Sequence, residues 1–448
     1  MSLDKSDLEK GVLGVWWLEA NPQQQLHGQL SWDSKEGAAL SLTGSFGQNP
    51  FDNFNSFQTD SLSAPNVYEP QLLDVFGEVN GTLITVSMAR TAKSSLNWTA
   101  GYLGSTSEMK SRRVFIGGHL SVPNLASISR YELRSDEYSE WINRTGIQLT
   151  IEGENSAKAR TINISGHALE LFEIGDVSDF QISLGHRISV NQRDGHPSWL
   201  TEQNAFIFST TKPLPLERYR EQAFRLHDIV SIAAGHYLPQ PRVSLRVTSG
   251  NSTQSSNSDI ELIEAENETL PNPATESWIF KLGDAFTAED LVRWLGMSDR
   301  FRYHVRRLLI TRHSAGMFME DKLNNVAAVL QGLGRDLSKV KDQKMIPAFK
   351  AVFSSIDENF KTYIPSLETW SKTLSKRRND LAHHDSKAQD TEMTLYLALY
   401  SSSYWLGLVA ILTSIGISSS AIERLLGNQS VRYELGYAHL VLSSIASD

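Results

Sequence analysis

The sequence predicts an α+β multidomain protein: an N-terminal antiparallel β-sandwich-like domain followed by an all-α helical bundle. Three observations carry that reading. Between about residues 11 and 210, short segments alternate apolar and polar residues and are cut by Gly, Asn and Pro, the period-two signature of half-buried strands. After Phe286 the apolar residues recur at three- and four-residue steps, the period of an amphipathic helix. A chain of 448 residues, 40% hydrophobic and 21% charged, suffices for about two to four domains with buried cores. The texture divides it into a β-rich region over 1–212, a helical connector and linker over 213–284, and a helical domain over 285–448.

Taken in order, the alternation marks strands at 26–30, 39–43, 81–88, 113–116, 148–151, 180–190 and 205–209. Turn residues at such spacing favour antiparallel pairing, as a sandwich or a barrel. Pro213 and Pro215 end this region. Leu216, Tyr219, Ala223, Leu226, Ile229, Val230 and Ala233 then line one face of a helix over 216–234. A strand at 243–247 precedes a Ser-, Asn- and Thr-rich stretch, 248–258, which together with 261–268 reads as a polar, acidic linker. Thr287, with Asp290 three residues on, forms the capping box that opens the first helix of the last part. Further helices are expected at 298–311, 317–333, 336–355, 367–382, 391–415 and 419–426.

Composition excludes several chemistries. With no cysteine there are no disulfides, thiolate zinc sites, iron–sulfur clusters or cysteine nucleophiles, and a reducing cytoplasm fits. Residues 1–10 mix acids with lysines and have no apolar core, unlike a secretory signal. Met393 to Ile422 contains no charged residue, long enough to be tested as a membrane span. Serines at 401–403, 414 and 418–420 interrupt it, so it reads as a buried helix and no membrane partner is expected. Residues 285–448 carry 20 Lys and Arg against 17 Asp and Glu, a net +3, and the residues before them 22 against 34, a net −12. Only the C-terminal part has the charge to take phosphate chains.

The strongest local signal is Arg377-Arg378-Asn379-Asp380-Leu381-Ala382-His383-His384. Arg378 and His383 supply a fixed cation for a phosphate and a group that titrates near neutrality, which is what metal-free RNA cleavage requires. On a continuous helix five residues turn through about 500°, leaving the two side chains about 140° apart. One copy therefore makes half a pocket, and two copies facing each other would close it. On spacing alone, the commoner explanation is a solvated helix end whose histidines favour the macrodipole.

Basic side chains also gather upstream. Arg293, Arg300, Arg302, Arg306, Arg307 and Arg312, with His304 and His313, fall in a stretch whose only acid is Asp299. That density suits an RNA backbone, with Arg302, Arg306 and Arg307 as its centre. It equally suits a solvated helix face whose partners are the acidic N-terminal domain. Lys372, Lys376 and Arg377 precede Arg378 in its own helix and extend the candidate track.

Other candidates are weaker. His383-His384-Asp385 offers metal ligands, but adjacent side chains diverge and a third distant ligand is not evident, so no metal is expected. Gly117-Gly118-His119 lacks the following helix that a phosphate loop needs. Trp16, Trp17, Trp32, Trp98 and Trp141 are candidates for sugar stacking, with core packing as the plainer explanation. Glu132, Asp136, Glu137 and Glu140 lie close in sequence without the facing pair a glycosidase uses.

The segment Arg378 to His383, set in a late helix of a helical domain, resembles the Arg-x4-6-His signature of HEPN ribonucleases, including the polar residue after the arginine. Phe318-Met319-Glu320-Asp321-Lys322-Leu323 through Val329-Leu330-Gln331-Gly332-Leu333-Gly334-Arg335 is similar to a helix of ApeA-type HEPN domains. Gly14-Val15-Trp16-Trp17-Leu18, Leu26 to Leu30, Leu40 to Phe46, and Tyr138 to Trp141 followed by Gly146 resemble the ApeA N-terminal domain. Gln331 stands where such domains often carry glutamate, and Gly334 where they carry histidine, so Gln331 receives no catalytic role.

The resemblance implies a C-terminal HEPN endoribonuclease in anti-phage, abortive-infection defence. It needs no cofactor and cleaves RNA, with transfer RNA the favoured target. His383 would be general base or acid, Arg378 the phosphate clamp, Asn379 and Asp380 orienting groups and His384 a reserve proton carrier. The implied partners are RNA, a second copy of the chain in at least a dimer, and a phage trigger protein sensed by the β-rich domain, which would also restrain the nuclease. Two rivals stand beside it: a non-catalytic HEPN-like module that binds RNA or nucleotide while the β-domain binds a partner or glycan, and a glycan-processing enzyme.

Overall fold

The computed structural model describes residues 3–46, 72–99, 102–121, 124–152, 161–191, 199–247, 259–265, 278–314, 316–356, 358–382 and 390–446. The backbone resolves into two compact units interleaved along the chain. The first comprises 1–135, 206–220 and 240–269, and the second 136–205, 221–239 and 270–448. The linear texture places its divisions at 212 and 284, because composition reports local period and not which distant segments pair.

The first unit holds helix α1 (Lys5–Lys10) and strands β1 (Val12–Leu18), β2 (Asn21–Asp33), β3 (Gly37–Thr43), β4 (Leu73–Val79), β5 (Thr82–Thr99), β6 (Tyr102–Ser111), β7 (Arg113–Ile116) and β8 (Ile128–Arg134). Six strands close on themselves: β5 pairs with β4, β4 with β1, β1 with β2, β2 with β3, β3 with β6, and β6 returns to β5, every pair antiparallel. The expected antiparallel β region is present, and its sheet closes as a barrel.

Closure depends on the long β5, which gives its first half to β4 and its second to β6. At the changeover Met88 takes a left-handed backbone (φ 54°) and the ladder to β4 slips around Asp74. The Asp74 carboxylate accepts hydrogen bonds from Met88 N at 2.9 Å and Ser87 Oγ at 2.8 Å, fixing the bulge that bends the strand. Alternate residues Trp16, Leu30, Trp32, Leu40, Leu42, Val75, Val86 and Met109 fill the interior. Gly77 is required there, since a Cβ would run into the Trp16 ring. Two strands from far along the chain, β14 (Arg242–Val247) and β15 (Ile260–Glu264), join the sheet beside β8 and β7. The expected linker over 261–268 is therefore corrected: its first residues form a strand, because Ile260, Leu262 and Ile263 are buried and residues 261–264 pair with β7.

The second unit opens with α2 (Asp136–Ile142), the hairpin of β9 (Ile147–Glu152) with β10 (Thr161–Gly166), and the hairpin of β11 (Phe172–Val177) with β12 (Phe180–Asn191). Strand β13 (Trp199–Leu214) and helix α3 (Leu216–Ala234) contribute residues to both units. Then follow α4 (Ala288–Leu295), α5 (Asp299–His313), α6 (Met319–Ser338), α7 (Met345–Ser354), α8 (Glu358–Lys361), α9 (Leu367–Ala382), α10 (Asp390–Ser414), α11 (Ser419–Gly427) and α12 (Gln429–Ala446). Thr287 caps α4 in the expected box with Asp290. The single helix expected over 336–355 is instead two, because Lys339 turns left-handed (φ 58°) and the chain restarts at Met345.

Helix α10 is the core of the bundle. Its stretch Met393–Ser414 is long and apolar enough to cross a bilayer, yet the most apolar part of it is almost wholly buried inside the protein. Its serine triplet is buried, not lipid-facing: Ser402 Oγ donates to Ala398 O and accepts the indole N–H of Trp370 at 3.0 Å.

Candidate functional site

The Arg-x4-His segment sits at the end of α9. Ser366 opens that helix by accepting the N–H of Thr369 on its hydroxyl. Trp370, Ser371 and Leu374 form the buried face, with the Trp370 ring against Phe349 at 5.8 Å. One turn beyond Leu374, Arg378 continues the flank of this face and is half-buried. Its guanidinium reaches Asn379 Oδ1 at 3.4 Å. Arg377 lies beside Asp380, 3.7 Å between charges, so the acid of the motif is drawn to the neighbouring arginine. Among the described residues Arg378 forms no ion pair.

His383 and His384 lie outside the described residues, as does Asp385. The described part of the site is thus a half-buried arginine whose guanidinium has an amide beside it, a pairing suited to a phosphate oxygen. Lys372 and Lys376 are exposed on the opposite face of α9 from Arg378, and Lys372 pairs with Glu368 at 2.8 Å. They do not converge with Arg378 on one surface of that helix.

The α5 basic tract divides sharply. Arg312 forks onto Glu434 at 2.8 and 3.1 Å and lies over the rings of Tyr404 and Trp405. His304 is buried with Nε2 at 2.9 Å from Asp336. Arg293 reaches Glu289, Asp290 and the carbonyl of Gly416. Of the three expected RNA contacts, Arg307 donates to Asn325 at 3.0 Å, Arg306 is exposed with its guanidinium 5.7 Å from the Phe224 ring centre, and Arg302 is half-buried. Arg302 and Arg306 also act on Asp228, whose burial pushes its carboxyl up to about 7 against their pull. Sequence density located these cations but not their partners, which come from other helices.

The remaining candidates resolve as structure. Trp16, Trp32 and Trp141 are buried; Trp17 meets His119 edge-on at 5.2 Å; the Trp98 side chain is outside what is described. His119 stacks on Phe76 at 4.7 Å, and burial lowers its pKa. Glu132 is buried between Arg130 and Arg134 as an internal counter-ion. Among the described residues no group of three or more His, Asp and Glu side chains is placed to hold a metal. Gly334 has a physical reason: α7 packs so closely on α6 that a Cβ there would strike the backbone of Ala348, leaving no room for a histidine.

Residues 11–292 match the family described as ApeA N-terminal domain 1, and the N-terminal segments from Gly14 to Gly146 that resemble it fall inside that match. No curated protein and no solved structure matches the chain.

Proposed function

Since the chain belongs to the ApeA N-terminal domain 1 family through residues 11–292, a family of anti-phage defence proteins, we propose that its helical part is a metal-independent HEPN endoribonuclease acting in that defence. The supporting observation is the state of Arg378: packed along the buried flank of α9, with the nearby acid Asp380 turned to Arg377. Among the described residues no carboxylate pairs with this guanidinium, an arrangement that suits the grip of a phosphate.

In this reading the ribose 2′-oxygen attacks its own phosphate, leaving a 2′,3′-cyclic phosphate and a 5′-hydroxyl. His383 moves the proton, as base or acid. Arg378 neutralises the charge that develops on the phosphate oxygens, Asn379 orients its guanidinium, Asp380 is engaged by Arg377 and does not orient the pair directly, and His384 is the reserve proton carrier. A second copy of the chain supplies the facing half of the pocket. The substrate is RNA in the cytoplasm, transfer RNA first among candidates, and the β-rich region senses a phage protein and restrains cleavage.

The test is total RNA incubated with the full-length protein in EDTA, with the cut ends sequenced. Cyclic-phosphate ends are expected, and His383→Ala or Arg378→Ala should slow cleavage by on the order of 10²–10⁴. A folded protein that leaves RNA intact, or variants that cleave as wild type does, would refute the reading. Binding without cleavage would favour the non-catalytic module.

A further inference from the structure

The solvent face of α5 carries an aromatic ring between cations. Arg300, Tyr303, Arg306 and Ile310 are exposed and follow one another at three- and four-residue steps, so they form one stripe along the helix. Tyr303 is 61% exposed, which leaves most of its ring in water and gives the core little. Among the described residues no carboxylate lies within ion-pair distance of Arg300 or Arg306, and the acid on this stretch, Asp299, is taken by Arg225 at 3.0 Å. Asp228, which interacts with Arg306, is buried, and burial disfavours its charged form.

The stripe is also ordered. The Arg300 guanidinium stands 5.0 Å from the Phe301 ring centre and that of Arg306 5.7 Å from Phe224, so each is braced on a ring. Tyr303 meets the His304 ring edge-on at 5.8 Å, and His304 is anchored on Asp336 at 2.9 Å. Side chains held in this way lose less freedom when a partner arrives. Cations along a backbone track with an aromatic face between them are the parts that an unpaired nucleic-acid strand needs. A duplex keeps its bases stacked on one another and offers the ring nothing. Like charge opposes a second copy of the same stripe.

Helix contacts place this surface away from Arg378. Leu308 of α5 packs at Gly407 of α10 and Arg312 lies over Tyr404 and Trp405, so α5 runs antiparallel to α10. Tyr303, nine residues before Arg312, therefore lies about 13 Å toward the C-terminal end of α10. Trp370 of α9 is bonded to Ser402, and residues 383–389 alone join α9 to the start of α10. Arg378, eight residues after Trp370, therefore lies about 12 Å toward the opposite end.

We propose that Tyr303, flanked by Arg300 and Arg306, is a stacking platform for a base of single-stranded nucleic acid, and that it holds an unpaired stretch of the RNA some distance along the strand from the linkage being cut. Tyr303 takes the base face, Arg300 and Arg306 take the phosphates on either side, and Ile310 extends the apolar contact. The assignment to the RNA being cut rests on the ribonuclease reading; the single-strand site does not.

The test uses the full chain and an oligonucleotide with 2′-deoxy sugars, which binds without being cut, offered as single strand and as duplex over a range of salt. The single strand should bind more tightly. Tyr303→Ala should weaken its binding about tenfold, within the range of about 5- to 150-fold for one lost stack, leaving the slope of log affinity against log salt as it was. Tyr303→Phe should restore the affinity. Arg300→Ala and Arg306→Ala should each flatten the slope by about 0.7, one phosphate contact on a single strand. If circular dichroism shows Tyr303→Ala unfolded, Tyr303→Leu, which keeps an apolar contact but cannot stack, should show the same loss. Wild-type affinity in a folded Tyr303→Ala or Tyr303→Leu protein overturns the proposal, as does a wild type that prefers the duplex. Binding that depends on Tyr303 in a protein that leaves RNA intact supports the site and refutes the ribonuclease. RNA cut equally well at limiting concentration by wild type and Tyr303→Ala overturns the site and leaves the ribonuclease standing.

Discussion

Glu434 is the test of how the α5 arginines are held. Its carboxylate accepts two hydrogen bonds from Arg312 and one, at 2.9 Å, from the Trp405 indole. Burial alone would raise the Glu434 pKa, but the Arg312 hydrogen bonds and charge, with the Trp405 bond, outweigh it and hold the group below its ordinary value. Glu434→Ala strands the Arg312 cation between two rings. Stranding a buried charge costs 3–5 kcal/mol; with side chains 19% and 28% exposed, about 3 kcal/mol is expected. At roughly 2–4 °C per kcal/mol for a domain of this size, Tm falls by about 6–12 °C. The pair Arg312→Met with Glu434→Leu removes both charges and should recover most of that loss. Because the folded pKa is lowered, the ion pair's contribution is complete above the unfolded value of about 4.3 and is lost as pH falls through the folded one. The gap between wild type and Glu434→Ala must therefore narrow below about pH 4. Calorimetry of wild type and the two variants against pH decides it. A Glu434→Ala protein within 1 kcal/mol of wild type at pH 7, or a double variant no better than the single, would refute the argument.

Trp370→Phe keeps the packing on Phe349 but removes the donor to Ser402, and should lower the stability of the helical part by about 1 kcal/mol in urea unfolding. Gly334→Ala, which forces α7 off α6, should cost about 1–3 kcal/mol by the same measurement; no shift would mean that the helices part freely. Deleting 1–210, the natural trial of whether the β-rich region restrains the nuclease, should give an aggregated product. It leaves β14 and β15 without β8 and β7, and removes Trp141, whose indole donates to Phe280 O; a soluble, helical fragment in size-exclusion chromatography and circular dichroism would contradict this.

The elements that the sequence exposes are those fixed by local period. Helix α9 runs over the expected residues, as does α3, because Trp370 and Leu374, or Leu226 and Ile229 with Val230, repeat on one face. The Thr287 box reads directly because both partners lie within four residues. Strand β15 does not read, since Ile260–Glu264 carries two acids in five residues and its pairing with β7 comes from residues about 150 positions earlier. Barrel closure is equally illegible: it turns on one left-handed residue, Met88, and the carboxylate of Asp74, neither of which has a distinctive pattern around it.

The charge pattern fails for a related reason, and the failure is informative. A count along α5 finds six arginines and histidines in excess, but Glu434 is 122 residues from Arg312, Asp336 is 32 from His304, and Asp228 precedes Arg302 by 74. Folding brings these acids in and cancels much of the excess. What survives cancellation is a better guide to polyanion binding than density itself, because a paired arginine must break its ion pair before it can take a phosphate, whereas a lone cation need not. By that criterion Arg312 and Arg293 leave the candidate track, and Arg306 stays in it as an exposed cation.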